Sequence, residues 1–415
     1  MIKACRRAIA AILCLAATPG CGYENGERGQ SAGHELPGAA ANLLTATPPS
    51  VAPEAASRGD LMLLVGGLEQ VDDGAALAIP ETALLVDLAD GSEHIIPAPG
   101  GETPIRVDAA IGTPDGFVVV GSRCLNGRGL HPDDQVCRPG TPATFLFEAD
   151  SRAWRELSMP ALAPREDAPD WTIHPHLGLL AEGAPYLVAE SGPRSPAPSP
   201  ASVSVLRGDE WISIAELGRA RVRSACGDAS AVWTLEDANP PELPAEDPET
   251  NPTEPAELVL RSTMLDGTTT VTPLPPVDLS YRGIGVSLAC DRSGVFLLSA
   301  TQDTQTPVAI HRWSEAEWVR IGHLEPGLVS RVTSAEDGFV VINHAVAGHA
   351  AYELSASMVA VDAVTALGPE LGDHLIVPDG LDGGFLAVGP LPALGNRLEA
   401  PSTPRDVVAA KRIEP

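Results

Sequence analysis

This 415-residue chain predicts an all-β fold closed into a ring of small sheets, and three observations carry that expectation. A short apolar run set between small turns returns seven times along the chain. Forty glycines and forty prolines cut the sequence into brief segments, and no helical heptad pattern runs through it. A hairpin with a turn signal at its tip follows most of the apolar runs. Together they predict a β-propeller of about seven four-stranded blades, with six as the alternative.

The apolar runs are DLMLLVGG (60–67), DGFVVVG (115–121), GAPYLVAE (183–190), DASAVWTL (228–235), SGVFLLSA (293–300), DGFVVIN (337–343) and GGFLAVG (383–389). Measured between Leu61, Phe117, Tyr186, Ala231, Val295, Phe339 and Phe385, the intervals are 56, 69, 45, 64, 44 and 46 residues. The two longest contain a loop bracketed by Cys124 and Cys137 and an acidic, proline-rich stretch at 236–257. Without these the spacing is that of one propeller blade. The hairpins that follow turn at Asp90–Gly91 and Asp266–Gly267, a pair suited to a type I′ turn, or through polar residues near Trp154, Trp211 and Trp318. Those tryptophans are expected to pack the outer strands of one blade on its neighbour. The tail RDVVAAKRIEP (405–415) is expected to be an outer strand that closes the ring, so that no sheet edge stays open.

Two details carry a family resemblance. Gly66–Gly67 end the first apolar strand, and Phe147 and Trp154 are separated by six residues, as in the outer hairpin of kelch-type blades. His311 and Trp318 repeat the spacing without the aromatic first residue. The chain thus resembles a degenerate kelch-like or galactose-oxidase-type propeller over about 60–415. The resemblance brings no active site with it.

Ahead of the propeller, residues 1–20 have the layout of an export signal: Lys3, Arg6 and Arg7, then a short apolar core, then small residues before Cys21. The apolar core is too short to span a membrane. Cys21 with Gly20 before it resembles a bacterial lipobox, whose cysteine is the lipid-attachment residue, although Thr18 and Pro19 depart from the usual pattern. The division expected is a lipoprotein-type signal at 1–20, a disordered tether at 21–58 and the propeller at 59–415. The location expected is the cell envelope, lipid-anchored to a bacterial membrane, with a soluble secreted form as the alternative.

Export also sets the cysteine chemistry. Cys124, Cys137, Cys226 and Cys290 remain, and in an oxidising compartment four cysteines imply two disulfides. Cys124 and Cys137 bracket one loop, while Cys226 and Cys290 each precede a repeated strand. The expected pairs are Cys124–Cys137 and Cys226–Cys290. A four-cysteine zinc site lacks the CxxC spacing it would need.

Loss of residues 1–20 moves the net charge from −28 to −31, which argues against nucleic-acid partners and against membrane contact other than the anchor. Candidate metal ligands are sparse. His174 and His176 stand two apart with Asp167 and Asp170 nearby, His344 and His349 are weaker, and Asp72–Asp73 and Asp133–Asp134 form no calcium-loop pattern. No metal or cofactor is expected. No nucleophile elbow, P-loop or zinc-protease motif is present, and Asp291–Arg292–Ser293–Gly294 is only a fragment of an Asp-box. The catalytic residues are unknown. The function expected is that of an anchored, monomeric binding or scaffold module for a protein or glycan partner. The alternative is a divergent propeller enzyme acting on an extracellular saccharide or peptide.

Overall fold

The computed structural model describes residues 44–46, 53–71, 76–125, 137, 139–159, 171–180, 183–193, 200–237, 257–275, 286–300, 306–335, 337–347, 351–360, 363–368, 374–378, 384–389 and 408–413. Among these residues every regular element is a β-strand. Seven four-stranded sheets form the blades of a propeller. From the inner strand outward, blade 1 is Glu54–Arg58, Leu61–Val65, Thr82–Asp87 and Glu93–Pro97. Blade 2 is Ile105–Thr113, Gly116–Cys124, Pro139–Glu148 and Ala153–Leu157. Blade 3 is Trp171–Leu179, Pro185–Pro193, Pro200–Arg207 and Glu210–Arg219. Blade 4 is Arg221–Gly227, Ala231–Asp237, Leu258–Met264 and Thr269–Thr272. Blade 5 is Val286–Asp291, Gly294–Ser299, Pro307–Ser314 and Glu317–Pro326. Blade 6 is Leu328–Ala335, Gly338–Ala347, Ala351–Ala360 and Ala363–Gly368. Neighbouring inner strands touch all the way round, and the seventh returns to the first.

Six blades are each drawn from one stretch of chain, and the seventh is composite. Its first three strands are Leu375–Pro378, Phe385–Gly389 and Val408–Ile413, and its outermost strand is Leu44–Ala46 from the other end of the chain. The tail therefore closes the ring as a third strand. The division expected at residue 58/59 falls too late, because Leu44–Ala46 and Glu54–Arg58 both belong to the ring. Composition misled there: a three-residue strand and the alanine-rich EAASR have too few large apolar side chains to stand out as core.

The seven marker residues lie one to a blade, each on the second strand. That strand is buried on both faces, and its alternate side chains enter different clusters. In blade 1, Met62 and Leu64 pack on Leu375, Val377, Leu386 and Val388 of blade 7, while Leu63 and Val65 pack on Val107, Phe117 and Phe145 of blade 2. The same division recurs at each of the seven interfaces, so seven apolar clusters hold the ring together.

The tryptophans act as expected, reaching back to the preceding blade. Trp154 Nε1 donates to the Pro97 carbonyl at 2.7 Å, Trp211 Nε1 to Thr144 Oγ1 at 3.0 Å, and Trp318 Nε1 to the Pro273 carbonyl at 2.6 Å. Trp211 is buried and Trp154 and Trp318 are partly buried, each with its one donor satisfied. Phe147 and Trp154 face each other across their hairpin with ring centroids 5.0 Å apart, whereas the partner of Trp318 is Trp313 rather than His311.

The expected I′ turns are corrected. At Asp90–Gly91 and Asp266–Gly267 only the glycine has positive φ, 76° and 86°, and the Gly267 amide bonds back to the Met264 carbonyl. These are longer loops ending in a left-handed glycine. Two successive positive φ values occur instead at Glu315 and Ala316, 51° and 65°, in a two-residue hairpin that no Asn-Gly or Asp-Gly signal announces.

Both expected disulfides are present. Cys124 and Cys137 have Cα atoms 5.0 Å apart and pack beside Ile79 and Leu68. Cys226 and Cys290, 5.5 Å apart, join the inner strands of blades 4 and 5.

The composite closure gives a direct test. A chain started at residue 59 lacks the inner strand of blade 1 and the outer strand of blade 7, and is expected to be insoluble or to show no cooperative melt by circular dichroism. A chain started at residue 43 should melt cooperatively. A soluble, cooperative chain from residue 59 would place the ring closure elsewhere.

Candidate functional site

Every inner strand begins at the same face of the ring, called here the upper face. Because each blade is antiparallel, connections from second to third strand, and from one blade to the next, also lie there. The second-to-third connections span 66–81, 125–138, 194–199, 238–257, 300–306, 348–350 and 390–407. They include the Cys124–Cys137 loop and most of the acidic stretch 236–257, whose first two residues, Glu236 and Asp237, belong instead to a buried strand. On the lower face the first-to-second connections are short, as at 59–60, 114–115, 228–230 and 292–293. The strand ends that the longest connections join thus lie at one face.

The inner strands enclose a central cavity of about 710 Å³, which Glu54, Asp108, His176, Arg223, Ser287 and Arg331 help to line. Cross-blade bonds set the relative height of several of these residues. Cys226 is bonded to Cys290, and the Cys290 amide donates to Ser334 Oγ at 3.0 Å. Three residues earlier on those three parallel strands stand Arg223, Ser287 and Arg331, which therefore share one level toward the upper face. Ser57 Oγ donates to the Pro378 carbonyl at 2.8 Å, linking blade 1 to blade 7, and three residues before Ser57 stands Glu54. Gly112 allows the neighbouring inner strand to approach, since a Cβ there would lie 1.8 Å from the Ser57 carbonyl oxygen.

The strand pairing has local irregularities at this same level. In blade 2 Val107 pairs with Gly121 and Ala109 with Val120, leaving Asp108 as the extra residue. In blade 4 Val222 pairs with Glu236 and Ser224 with Leu235, leaving Arg223 out. In blade 6 Val329 pairs with Asn343 and Arg331 with Ile342, leaving Ser330 out. A bulge releases a residue from the ladder and re-aims its side chain, and all three released residues line the cavity.

The charges at the mouth differ in how firmly they are held. Arg223 donates to Asp237 Oδ2 at 2.7 Å, and Asp237 is 1% exposed. Arg223 Nε and Asp237 Oδ1 are buried without a partner among the described residues. Asp108 accepts from Arg106 at 2.9 Å. Arg331 is exposed and makes no hydrogen bond or close ion pair among the described residues. Glu54 is half-buried, and burial lifts its pKa above its ordinary value; Arg331 opposes that rise and Asp108 adds to it. Glu190, 7% exposed, accepts from the Val222 amide in the next blade. Burial raises its pKa to about 7 against the opposing effects of that hydrogen bond, Arg221 and Arg223.

The residues singled out from sequence are distributed otherwise. His176 lines the cavity, and Pro175 is tolerated because the inner strand has a free edge toward the channel. His174 lies on the same strand, but its side chain, like that of His344, is outside the described residues, as are Cys21, Asp72, Asp73, Asp133, Asp134, Asp167, Asp170 and His349. Among the described residues no group of three His, Cys, Asp or Glu side chains is placed to hold a metal ion. Asp291 and Asp228 serve turns: Asp291 Oδ1 accepts from the Ser293 amide, and Asp228 binds the Ser230 and Ala231 amides and Trp233 Nε1. Glu54, Asp108, Arg223 and Arg331 were not anticipated. One faint signal exists, since Arg223, Ser287 and Arg331 each stand eight residues before the marker of their blade, Ala231, Val295 and Phe339.

No protein-family model and no curated protein sequence matches the chain. Similar solved structures include the propeller domain of the Trilobed protease from Pyrococcus furiosus, 9% identical over 83% of this chain and 91% of that one, TM-score 0.47. An acylaminoacyl peptidase from Pyrococcus horikoshii is 11% identical over 83% of this chain, which spans 49% of that protein, TM-score 0.48. An oligogalacturonate lyase from Vibrio parahaemolyticus is 11% identical over 89% and 99% of the two chains, TM-score 0.47. The likeness is one of fold alone.

Glu190 supplies a test of the local electrostatics. Its pKa in the folded protein lies above its ordinary 4.5, so the stability it contributes is complete below that value and is lost as pH rises through about 7. Relative to the native chain, Glu190→Gln should therefore gain stability between pH 5 and pH 8 in urea melts. A difference between the two proteins that stays constant over that interval would place Glu190 in a more solvated setting.

Proposed function

We propose that this protein is an exported, envelope-tethered recognition module that binds a macromolecular partner at the upper mouth of its channel. The observation that carries the reading is the set of three bulges at one level, which release Asp108, Arg223 and Ser330 at the face where the second strands end and the third begin. A rigid ring presenting polar side chains at one face suits binding, because the frame spares the partner the entropy of ordering the site. Around that mouth the Cys124–Cys137 bond, packed with Ile79 and Leu68, stiffens the platform over blades 1 and 2. Two disulfides agree with folding in an oxidising compartment. The kelch-like kinship rests on Gly66–Gly67 and the Phe147–Trp154 pair.

An enzymatic reading has one observation in its favour. A half-buried Glu54 whose pKa is raised by burial, near Asp108 and Arg331, is a setting that favours the protonated carboxyl group and so a proton donor. On that reading the substrate is an extracellular saccharide or peptide.

Photo-crosslinkers placed at upper-face and lower-face positions, followed by recovery from the cell envelope, should yield a specific partner from the upper face only. Turnover in a glycosidase and peptidase screen that disappears in Glu54→Gln, with no partner recovered, would make the enzymatic reading primary. For the anchor, fatty-acid labelling should mark the native chain and spare Cys21→Ser. Equal label on both would remove the lipid.

A further inference from the structure

The two walls of the channel mouth carry different chemistry. Arg223 and Arg331 stand on blades 4 and 6 with Ser287 between them on blade 5, whereas Glu54 and Asp108 stand on blades 1 and 2. The guanidinium groups are incompletely used. Arg223 is fixed at one end by Asp237 and keeps a buried Nε without a partner, and Arg331 makes no hydrogen bond or close ion pair among the described residues, acting on Glu54 through its field alone. An arginine fork of this kind matches a planar carboxylate with two parallel donors, and part of its desolvation cost is already met here by the fold. On the opposite wall the acidic side chains favour hydrogen-bond donors or positive charge. A doubly charged phosphate would be repelled by that wall, while a singly charged carboxylate followed by N–H groups meets complementary partners on both sides. Among the described residues lining the cavity there is no tryptophan or phenylalanine, and the one tyrosine, Tyr186, is 4% exposed.

Resting on the reading of this face as a binding surface, we infer that the mouth captures the carboxyl terminus of a peptide or protein chain. Arg331 and Arg223 grip the terminal carboxylate, and Glu54 and Asp108 face the donors behind it. Arg223 is pre-positioned by Asp237, while Arg331, the exposed partner, closes on the ligand. Nothing in the chain's overall charge announces this site, because the two arginines are diluted by the acidic total and are far apart in sequence.

The test is calorimetric titration of the purified full chain, both disulfides formed, with Ala-Ala-Ala, with its carboxamide, and with glucuronate. Saturable binding of the free acid is expected, weaker by roughly tenfold or more for the amide, since a charge-assisted pair is lost. Arg331→Gln should lose binding by a similar factor while its urea melt stays native-like, and Arg331→Lys, which keeps the charge but not the fork, should fall between. Equal binding of acid and amide, or binding indifferent to Arg331, overturns the inference. Tighter, Arg331-dependent binding of glucuronate also overturns it and makes an acidic saccharide the ligand. If no probe binds while a partner still crosslinks to the upper face, the inference falls and the binding reading stands. If neither is seen, both fall.

Discussion

Burial of the second strand of each blade on both faces organises the rest of the molecule. A strand in that position must be apolar at successive residues, and its odd and even side chains must satisfy two different neighbours. Leu63 and Leu64 are adjacent in sequence yet belong to clusters on opposite sides of blade 1. Each blade is consequently half of two cores, and none has a core of its own. Removing one blade would uncover two interfaces at once, which ties stability to completion of the circle. The composite seventh blade follows from the same need: its outer strand is borrowed from the beginning of the chain, so the ends are locked by pairing between Leu44–Ala46 and Val408–Ile413.

The architecture was legible because the second strands are loud. Seven runs of four or five apolar residues, one with each of the marker residues, fall one to a blade, and the cysteine positions just ahead of Ala231 and Val295 put Cys226 beside Cys290. The quiet elements were missed for the opposite reason. Leu44–Ala46 is three residues long, and Glu54–Arg58 has two alanines as its apolar content, so neither stands apart from a tether. The I′ expectation failed because Asp-Gly also suits a longer loop in which only glycine adopts positive φ.

The candidate site was illegible in a different way. Its members come from several inner strands, and what brings them together is ring geometry together with bulges that no residue type signals. Asp108 beside Arg106, or Arg223 beside Ser224, reads as ordinary surface polarity until blades 2, 4 and 6 are placed around one axis. The molecule then combines a strongly acidic total with a mouth where arginines and carboxylates are divided between opposite walls. Over the whole surface the acidic excess governs solubility; at the mouth the local arrangement governs what can dock.

The direction of the closing strand sets the orientation of the whole ring. Ala46 pairs with Val408 and Leu44 with Ala410, so Leu44–Ala46 runs from the lower face toward the upper one. Leu44 therefore stands at the lower rim of the ring, and Ile413, where the neighbouring strand ends, lies on the same side. Anything joined to the ring at Leu44 therefore meets it at the lower rim of blade 7, at the other end of the channel from Arg223 and Arg331.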